Sequence, residues 1–501
     1  MKSFAPVADA SDLAGIHTAV AGDGSVYASS TYNQAFQFAG KAVTDPEGLI
    51  SSCVVKYDKD GNEQWSVSLV GACTVHSMVA DTDGTLYIAG TATDEKVVLT
   101  GTDGTAKEII NPVSDPWGTG EFSVDAYSAF VAKISKDGVI EKVQVITPAT
   151  NEEVAMDFEN FYIQLDMIAV RPYKLMLDGD KLYVAARYMG DVSTLGWNGA
   201  YVHEDGMTID VYSYGVFSML KSDFSNIGSV ANVQQTGTIT NSEYDVEAID
   251  FVVYNGVPHV AFIGFGNLTL TTAADSKNFE FKMEGASMNE HALVLANVND
   301  LNKTKVFAAA PHDYLGATYD LLGATIAGEN CILGGTFYGN FPLDNTVTKD
   351  KNTSFVASIK MSDCSVNWTA PNPVESEATC MIVTGEEIHA AANEIQKEGD
   401  EEKEKEVGKH YVFKTADGTL KKTENQGFND AAVYNDTYCS TIFTDGANVC
   451  IFSPKMSPSG IEAIKAAAAK GETKIFNLNG QRVAKPQKGL YIINGMKVVV
   501  K

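Results

Sequence analysis

Residues 76–91 read HSMVADTDGTLYIAGT, and residues 128–146 read SAFVAKISKDGVIEKVQVI. Each stretch holds two short runs rich in β-branched and aromatic residues on either side of an Asp-Gly pair, with glycines at Gly84 and Gly138. Because Asp-Gly suits the positive φ angles of a tight two-residue hairpin, each stretch predicts two antiparallel strands. Together the two hairpins predict one four-stranded antiparallel sheet.

The first hairpin recurs along the whole chain. Its turns lie near Gly24, Gly84, Gly179, Gly256, Gly328, Gly385 and Gly446. The second hairpin recurs only six times, from residues 51, 128, 214, 291, 354 and 410. A repeated unit of four short strands is typical of a β-propeller, so we predict an all-β fold with seven blades over residues 1–455. Six or eight blades, and two stacked β-sandwiches, are the alternatives. Residues 3–7 or the C-terminal tail would supply the missing outer strand.

Charge is distributed unevenly in this 501-residue chain, whose formal net charge is −27. Residues 455–501 carry nine Lys or Arg and two Glu, a net charge of +7, so the rest carries −27 − 7 = −34. Such an acidic body should repel nucleic acid and anionic lipid surfaces. The presence of only three arginines also predicts against a phosphate-clamping site. No apolar run approaches the roughly 18 residues of a membrane span, so we expect no transmembrane helix. We also expect the protein to be a monomer.

No reaction is indicated by the sequence. The seven cysteines form no CxxC pair, so we predict no metal site and no cofactor, with buried thiols favoured over a Cys439–Cys450 bridge. His17 and His76 begin equivalent strands and could face each other at a channel mouth, although core or surface positions are the alternative. No nucleophile elbow or phosphate loop occurs, which favours a protein without catalytic activity.

Aromatic residues in loops are the candidate ligand-binding residues. We predict that Trp117, Trp197 and Tyr214 grip a glycan or protein ligand, because flat aromatic faces stack well on sugars and apolar side chains. The alternative is that these rings cap the apolar edges of the blades. A polysaccharide hydrolase or lyase with its site at the channel mouth is the second functional hypothesis, and a purely structural surface module is the third.

The last part of the chain changes composition. Residues 456–472 include the alanine-rich SGIEAIKAAAAK and predict a helical linker, and residues 473–501 predict a short β segment. This segment contains IFNLNGQRV from residue 475, KGLYII from residue 488, and a basic β-rich end at residues 497–501. It resembles the C-terminal sorting domain of proteins exported by the Bacteroidetes type IX secretion system. The resemblance rests on Asn479, Gly480, Gly489, Leu490, Tyr491 and Lys501.

The resemblance covers about thirty residues, and the family's domain is usually longer. It implies transit through the periplasm to the cell surface or the medium, with the type IX export machinery as a partner and an N-terminal signal that is not in this sequence. The preceding body loosely resembles secreted bacterial β-propeller repeats of unassigned function. We therefore expect a secreted or surface-exposed β-propeller that binds a ligand.

Overall fold

The computed structural model describes most of the chain. The described residues are 2–6, 13–44, 50–113, 127–149, 169–204, 207–236, 246–264, 266–281, 291–308, 318–398, 403–445, 448–452, 475–476, 489–493 and 496–500. They contain 39 strands and two short 3-10 helices, Ser193–Leu195 and Leu301–Lys303. The chain divides into two compact units, Met1–Ser453 and Pro454–Lys501.

The strands are numbered in chain order. The first thirteen are β1 (Lys2–Pro6), β2 (Thr18–Val20), β3 (Val26–Asn33), β4 (Ala35–Phe38), β5 (Lys41–Thr44), β6 (Ile50–Tyr57), β7 (Glu63–Val70), β8 (Cys73–Ala80), β9 (Leu86–Ala92), β10 (Lys96–Thr100), β11 (Ala106–Ile110), β12 (Ser128–Ile134) and β13 (Ile140–Ile146). The next twelve are β14 (Ala169–Asp178), β15 (Lys181–Met189), β16 (Ala200–Glu204), β17 (Met207–Val211), β18 (Ser213–Leu220), β19 (Gly228–Gln235), β20 (Val246–Tyr254), β21 (Val257–Gly264), β22 (Asn267–Thr272), β23 (Ser276–Glu280), β24 (Ala292–Asn297) and β25 (Lys305–Ala308).

The remaining strands complete both units. Those of the first unit are β26 (Thr318–Ala327), β27 (Asn330–Asn340), β28 (Thr348–Lys360), β29 (Val366–Pro371), β30 (Ser376–Thr384), β31 (Glu387–Glu398), β32 (Lys403–Lys414), β33 (Leu420–Glu424), β34 (Asp430–Tyr434), β35 (Tyr438–Asp445) and β36 (Asn448–Phe452). Those of the second unit are β37 (Ile475–Phe476), β38 (Gly489–Ile493) and β39 (Met496–Val500), which form one antiparallel sheet.

The first unit is a seven-bladed β-propeller. From the channel outward, the blades are β2-β3-β6-β7 (I), β8-β9-β12-β13 (II), β14-β15-β18-β19 (III), β20-β21-β24-β25 (IV), β26-β27-β28-β29 (V), β30-β31-β32-β33 (VI) and β34-β35-β36-β1 (VII). The N-terminal strand β1 is the outer strand of blade VII, where Phe4 lies opposite Val449. This pairing confirms the seven-bladed prediction and closes the ring through the N-terminal segment.

Three blades gain a second outer hairpin from the following blade. Strands β10 and β11 arise within blade II and pair onto β7 of blade I, and β22 and β23 of blade IV pair onto β19 of blade III. In the same way β4 and β5 of blade I pair onto β1 of blade VII. Since each added hairpin hydrogen-bonds to the neighbouring blade, adjacent blades are joined by backbone bonds as well as by side-chain packing.

The apolar core lies between neighbouring blades. One cluster joins blades I and II around Val54, Leu69 and Phe130, and another joins blades III and IV around Phe251 and Phe262. These side chains are almost fully buried because strands of one blade present alternate residues to the next.

In the described residues no helix is long and apolar enough to span a membrane.

The turns of the first hairpins differ from the sequence prediction in part. In blade IV, Asn255 and Gly256 form the expected two-residue turn with both φ angles positive. In blade II only Gly84 has a positive φ, and the backbone N–H groups of Asp81 and Gly84 bond to Thr85 and Asp81. This longer turn therefore needs only Gly84 in the left-handed region. The side chain of Asp83, which precedes it, is left free to cap the loop.

Candidate functional site

The innermost strands of all seven blades surround a cavity of about 560 Å³ on the channel axis. Its lining includes His17, His76, Arg171, Tyr173, Lys174, Arg187, Tyr214, Asp250, Leu322, Thr379 and Asp430. Sequence reasoning named only His17, His76 and Tyr214 among these, and the structure brings all three to one cavity. The others are scattered over the sequence without a shared motif, so only ring closure brings them together.

A β-bulge recurs in the innermost strands of blades II to VI. In each hairpin one residue of the inner strand has no partner across the ladder, and these residues are His76, Tyr173, Glu247, Leu322 and Thr379. Such bulges re-aim side chains and are common beside binding sites. Four of these residues, His76, Tyr173, Leu322 and Thr379, line the cavity. An irregularity repeated at one level of the ring therefore shapes the channel wall.

Asp250 and Asp430, the carboxylates among the described lining residues, are already held by neighbouring side chains and backbone groups. Lys174 Nζ lies 2.6 Å from Asp250 Oδ1, and it also donates to the carbonyl oxygen of Ala324. Asp430 Oδ2 lies 3.3 Å from His17 Nδ1 and accepts a hydrogen bond from the backbone N–H of Thr18. Both carboxylates are thus fixed in place, which suits them for accepting hydrogen bonds from a ligand.

Arg171 and Arg187 form a cationic pair on the first two strands of blade III. They lie directly opposite each other in the β14–β15 ladder, so their side chains share one face. Within the described residues no carboxylate makes an ion pair with either guanidinium, and Arg187 Nε is buried without a hydrogen-bond partner. The low arginine count predicted against a phosphate-clamping site, and the structure places two of the three arginines side by side.

Tyrosines position Arg187. Its guanidinium carbon lies 4.4 Å from the centroid of the Tyr212 ring, a cation–π contact. Tyr127 also hydrogen-bonds to Arg187, and the Tyr173 and Tyr214 rings meet edge to face at 6.4 Å. Burial is the main cause that raises the pKa of Tyr212 to about 12, so its hydroxyl remains a hydrogen-bond donor at neutral pH.

The lowered pKa of His76 reflects its burial and the positive charges in this part of the channel. The Nε2 atom of His76 lies 2.9 Å from Thr91 Oγ1. Burial first, and then the nearby charges of Arg171, His17 and Arg187, together lower the pKa of His76 to about 3. His76 is therefore neutral at physiological pH. The cationic side of the channel is formed by the two arginines.

Trp197 is a core residue rather than an exposed loop aromatic. Its ring is 2% exposed, stacks on Tyr188 at 4.8 Å between ring centroids, and donates from Nε1 to Ser229 Oγ at 2.8 Å. A ligand could reach this ring only by displacing those neighbours, so the capping alternative describes its position. Trp117 lies outside the described residues, and its ligand-binding role stays a prediction.

A substitution at Gly215 tests the packing of the Trp197 ring. A Cβ atom added there would lie 2.4 Å from Trp197 Cζ2. We expect Gly215→Ala to lower the free energy of unfolding by about 1–3 kcal/mol, because the ring has no room to move. Gly228→Ala on the adjacent strand is the matched control, since nothing lies within 4 Å of its added Cβ. Equal urea midpoints for the two variants would contradict the assigned packing.

A second cavity of about 500 Å³ lies between blades V and VI. Its lining is mainly apolar and includes Leu322, Val374 and Leu420, three large apolar residues that are exposed. The polar groups there bond to each other, as where the Tyr411 hydroxyl donates to Glu394. The described lining of this cavity includes no arginine, lysine or histidine to orient a charged ligand, so the channel cavity is the better candidate.

The sequence predicted no metal site and favoured buried thiols over a Cys439–Cys450 bridge. Among the described residues no group of three or more His, Cys, Asp or Glu side chains could hold a metal ion. All seven cysteines are free thiols, including Cys439 and Cys450. Six of them are buried, and burial raises the pKa of Cys331 to about 12, so that thiol is a packing residue and not a nucleophile.

Comparisons with known proteins bear on the fold. No protein-family model matches the chain, and no curated protein matches its sequence. Among solved structures, the chain is similar to BamB from Moraxella catarrhalis, with 9% identity over 83% of this chain and 94% of the other at a TM-score of 0.37. It is also similar to the Cps50 (Swd1) β-propeller domain of Myceliophteria thermophila, with 9% identity over 86% and 94% and a TM-score of 0.36.

An enzyme also occurs among these structures. The GH93 α-L-arabinofuranosidase of Fusarium graminearum, solved with arabinobiose, is 10% identical over 83% of this chain and 98% of the other, with a TM-score of 0.37. At this level of similarity none of these proteins indicates the ligand or activity of this chain.

Proposed function

We propose that this protein is a ligand-binding β-propeller that holds its ligand in the central channel cavity. The observation that carries the proposal is the convergence of Tyr173, Tyr214, Arg171 and Arg187 on one cavity. The cavity volume of about 560 Å³ lies in the range of small-molecule sites, which suits a glycan segment or one protruding side-chain cluster of a protein. The aromatic rings supply flat apolar contacts, and the fixed polar groups supply orientation.

Binding is favoured over hydrolysis by the state of the carboxylates. A glycosidase needs an acid and a base or nucleophile that are both free to exchange protons with the substrate. In the described part of the cavity, Asp250 is paired with Lys174, and Asp430 with His17. These pairs hold the carboxylates as hydrogen-bond acceptors and support the proposal of a binding protein over that of a hydrolase or lyase.

The proposal predicts that Tyr214→Ala weakens ligand binding. On a glycan array followed by calorimetry, we expect a loss of about tenfold or more, because Tyr214 lines the cavity. Tyr338→Ala is the control, since Tyr338 is half-buried but does not line the cavity. A ligand bound equally well by both variants and the wild type would move the site away from the channel.

We further propose that the protein is exported through type IX machinery and displayed at the surface or released. Support comes from the motif resemblance and from the separate β unit at Pro454–Lys501, in which Gly489, Leu490 and Tyr491 lie on β38. Asn479, Gly480 and Lys501 lie outside the described residues, as does the predicted helical linker at 456–472.

Deletion of residues 473–501 tests the export proposal. In a host with this secretion system, and with a secretory signal supplied, the truncated protein should accumulate in the periplasm while the full chain reaches the surface or medium. Cell fractionation with immunoblotting measures the ratio. Undiminished export of the truncated protein would refute the proposed sorting role of the tail.

A further inference from the structure

The two arginines in the propeller occupy an energetically unfavourable position. Arg171 and Arg187 are direct cross-strand partners, and like charges placed opposite each other in a ladder destabilise a sheet. The only other arginine of the chain, Arg482, lies in the C-terminal unit. A protein that uses arginine so rarely therefore pairs two of them where each repels the other, which suggests that the pair serves binding.

The neighbouring groups do not neutralise this pair. In the described residues the nearby cation Lys174 has its own carboxylate in Asp250, while the arginines are surrounded by tyrosines. Arg187 stacks on Tyr212 and hydrogen-bonds with Tyr127, and both contacts hold a planar guanidinium without cancelling its charge. Two neighbouring guanidinium groups, of which Arg187 is held in place by these tyrosines, can offer paired N–H donors, the arrangement that matches a carboxylate.

The rest of the protein selects against heavily charged ligands. Residues 1–454 carry a net charge of about −34 as counted above, so a polyanion would be repelled at long range. A ligand with one anionic group loses little to this repulsion and gains the local contact with the arginine pair. Elsewhere in the same cavity Asp250 and Asp430 can accept hydrogen bonds from hydroxyl groups. This combination of one cationic pair with hydroxyl acceptors and aromatic rings fits an acidic sugar.

We propose that the channel cavity recognises a glycan that carries a carboxylate, a uronic acid residue, through Arg171 and Arg187. The inference rests on the proposed ligand-binding function and names the class of ligand. The carboxylate accepts hydrogen bonds from the two guanidinium groups, while the sugar ring packs on Tyr173 and Tyr214. Binding relieves the repulsion between the arginines, so the ligand stabilises the folded protein.

The experiment uses calorimetry on the full chain with an oligosaccharide that ends in galacturonate and with its methyl ester. We expect the acid to bind about 10- to 100-fold more tightly than the ester, because the ester loses charge-assisted hydrogen bonds. Arg171→Gln and Arg187→Gln should weaken binding of the acid by a similar factor. Arg482→Gln is the matched control and should bind like the wild type.

A second readout separates a binding defect from a folding defect. Since each Gln substitution removes the like-charge contact, the Tm of Arg171→Gln should equal or exceed that of the wild type. In NMR titrations, the galacturonate probe should raise the pKa of His76 in the wild type, because the bound anion offsets the arginine charges that lower it. The Arg171→Gln variant should show a smaller rise.

The outcomes distinguish the inference from the proposed function. Equal affinity for the acid and its ester, with loss of both in Tyr214→Ala, would overturn the carboxylate inference and leave the channel site standing. Acid binding unchanged in the arginine variants and in Tyr214→Ala would overturn both. A response to an acidic tripeptide but to no acidic sugar, or no response of affinity or His76 to any carboxylate, would also overturn the inference.

Discussion

A variant that lacks residues 2–6 is expected to lose most of its folding stability. Strand β1 forms the outer edge of blade VII, where it pairs with β36 near the end of the propeller chain. It also pairs with β4, whose hairpin comes from blade I. Its removal would leave blade VII with three strands and would deprive the β4–β5 hairpin of its partner. We expect the free energy of unfolding to fall by an amount on the order of 5 kcal/mol, a large fraction of typical domain stability.

A point substitution measures the side-chain part of this effect. Phe4 is 3% exposed and belongs to the cluster with Tyr32, Phe36 and Ile442. We expect Phe4→Ala to cost about 3–5 kcal/mol, since it removes a buried ring and leaves a cavity. Ser3→Ala on the same strand is the control, because Ser3 is exposed and its loss should change stability by less than about 0.5 kcal/mol.

Calorimetry and urea unfolding check both changes. If the shortened chain and the wild type unfolded at the same temperature with the same cooperativity, ring closure by β1 would be unimportant and the assigned role would be wrong. Strand β1 pairs with residues about 450 positions away in sequence. Because contacts between such distant residues form slowly, we also expect slow refolding.

The second large effect is a loss of stability in mild acid. Burial first, and then the neighbouring His410, lower the pKa of His389 to about 4. His389 Nδ1 lies 2.9 Å from His410 Nε2, and His410 Nδ1 lies 3.2 Å from Glu424 Oε2. Burial also lowers the pKa of His291 to about 4. In an unfolded chain each histidine would titrate near pH 6.5, so these groups take up protons on unfolding.

The direction of the pH dependence follows from this proton uptake. Between about pH 6.5 and pH 4 the unfolded state binds more protons than the folded state, so the free energy of unfolding falls as the pH falls. The stabilising contribution of these neutral histidines is fully present above pH 6.5. A fully shifted histidine accounts for about 2 kcal/mol of loss between pH 7 and pH 5.

Urea unfolding of the wild type and of His389→Gln at pH 7 and pH 5 isolates one histidine. The carboxylates titrate in both proteins, so their effect cancels in the comparison. We expect the variant to lose about 2 kcal/mol less than the wild type over this interval. Equal losses in both proteins would show that His389 does not stay neutral in the folded state. NMR titration of the histidine ring protons gives the same pKa directly.

The strand content and the number of blades were predictable from local sequence. The runs of β-branched and aromatic residues around turns such as Gly84 and Gly256 form hairpins by contacts within about twenty residues. The type of turn was predicted less well, because Asp-Gly at residue 83 serves a longer loop than the same pattern usually indicates. The sequence left two alternatives for the missing outer strand, the N-terminal segment and the C-terminal tail, because either could have paired with β36.

The candidate site was less predictable. Tyr214, His17 and His76 were named from sequence, but Trp197 lies in the core because the fold packs it against Tyr188 and Gly215. The pairing of the two arginines was not foreseen, since Arg171 and Arg187 are sixteen residues apart and carry no motif.

Local hydrophobic pattern and turn chemistry thus determined the hairpins, the repeat and the all-β class of this protein, because those depend on interactions between residues close in sequence. The ring decided which residues share a cavity, because all seven blades contribute residues to the channel and these residues are far apart in sequence. The ring also brings Lys174 next to Asp250, and burial within it lowers the pKa of His76, so these interactions depend on residues far apart in sequence.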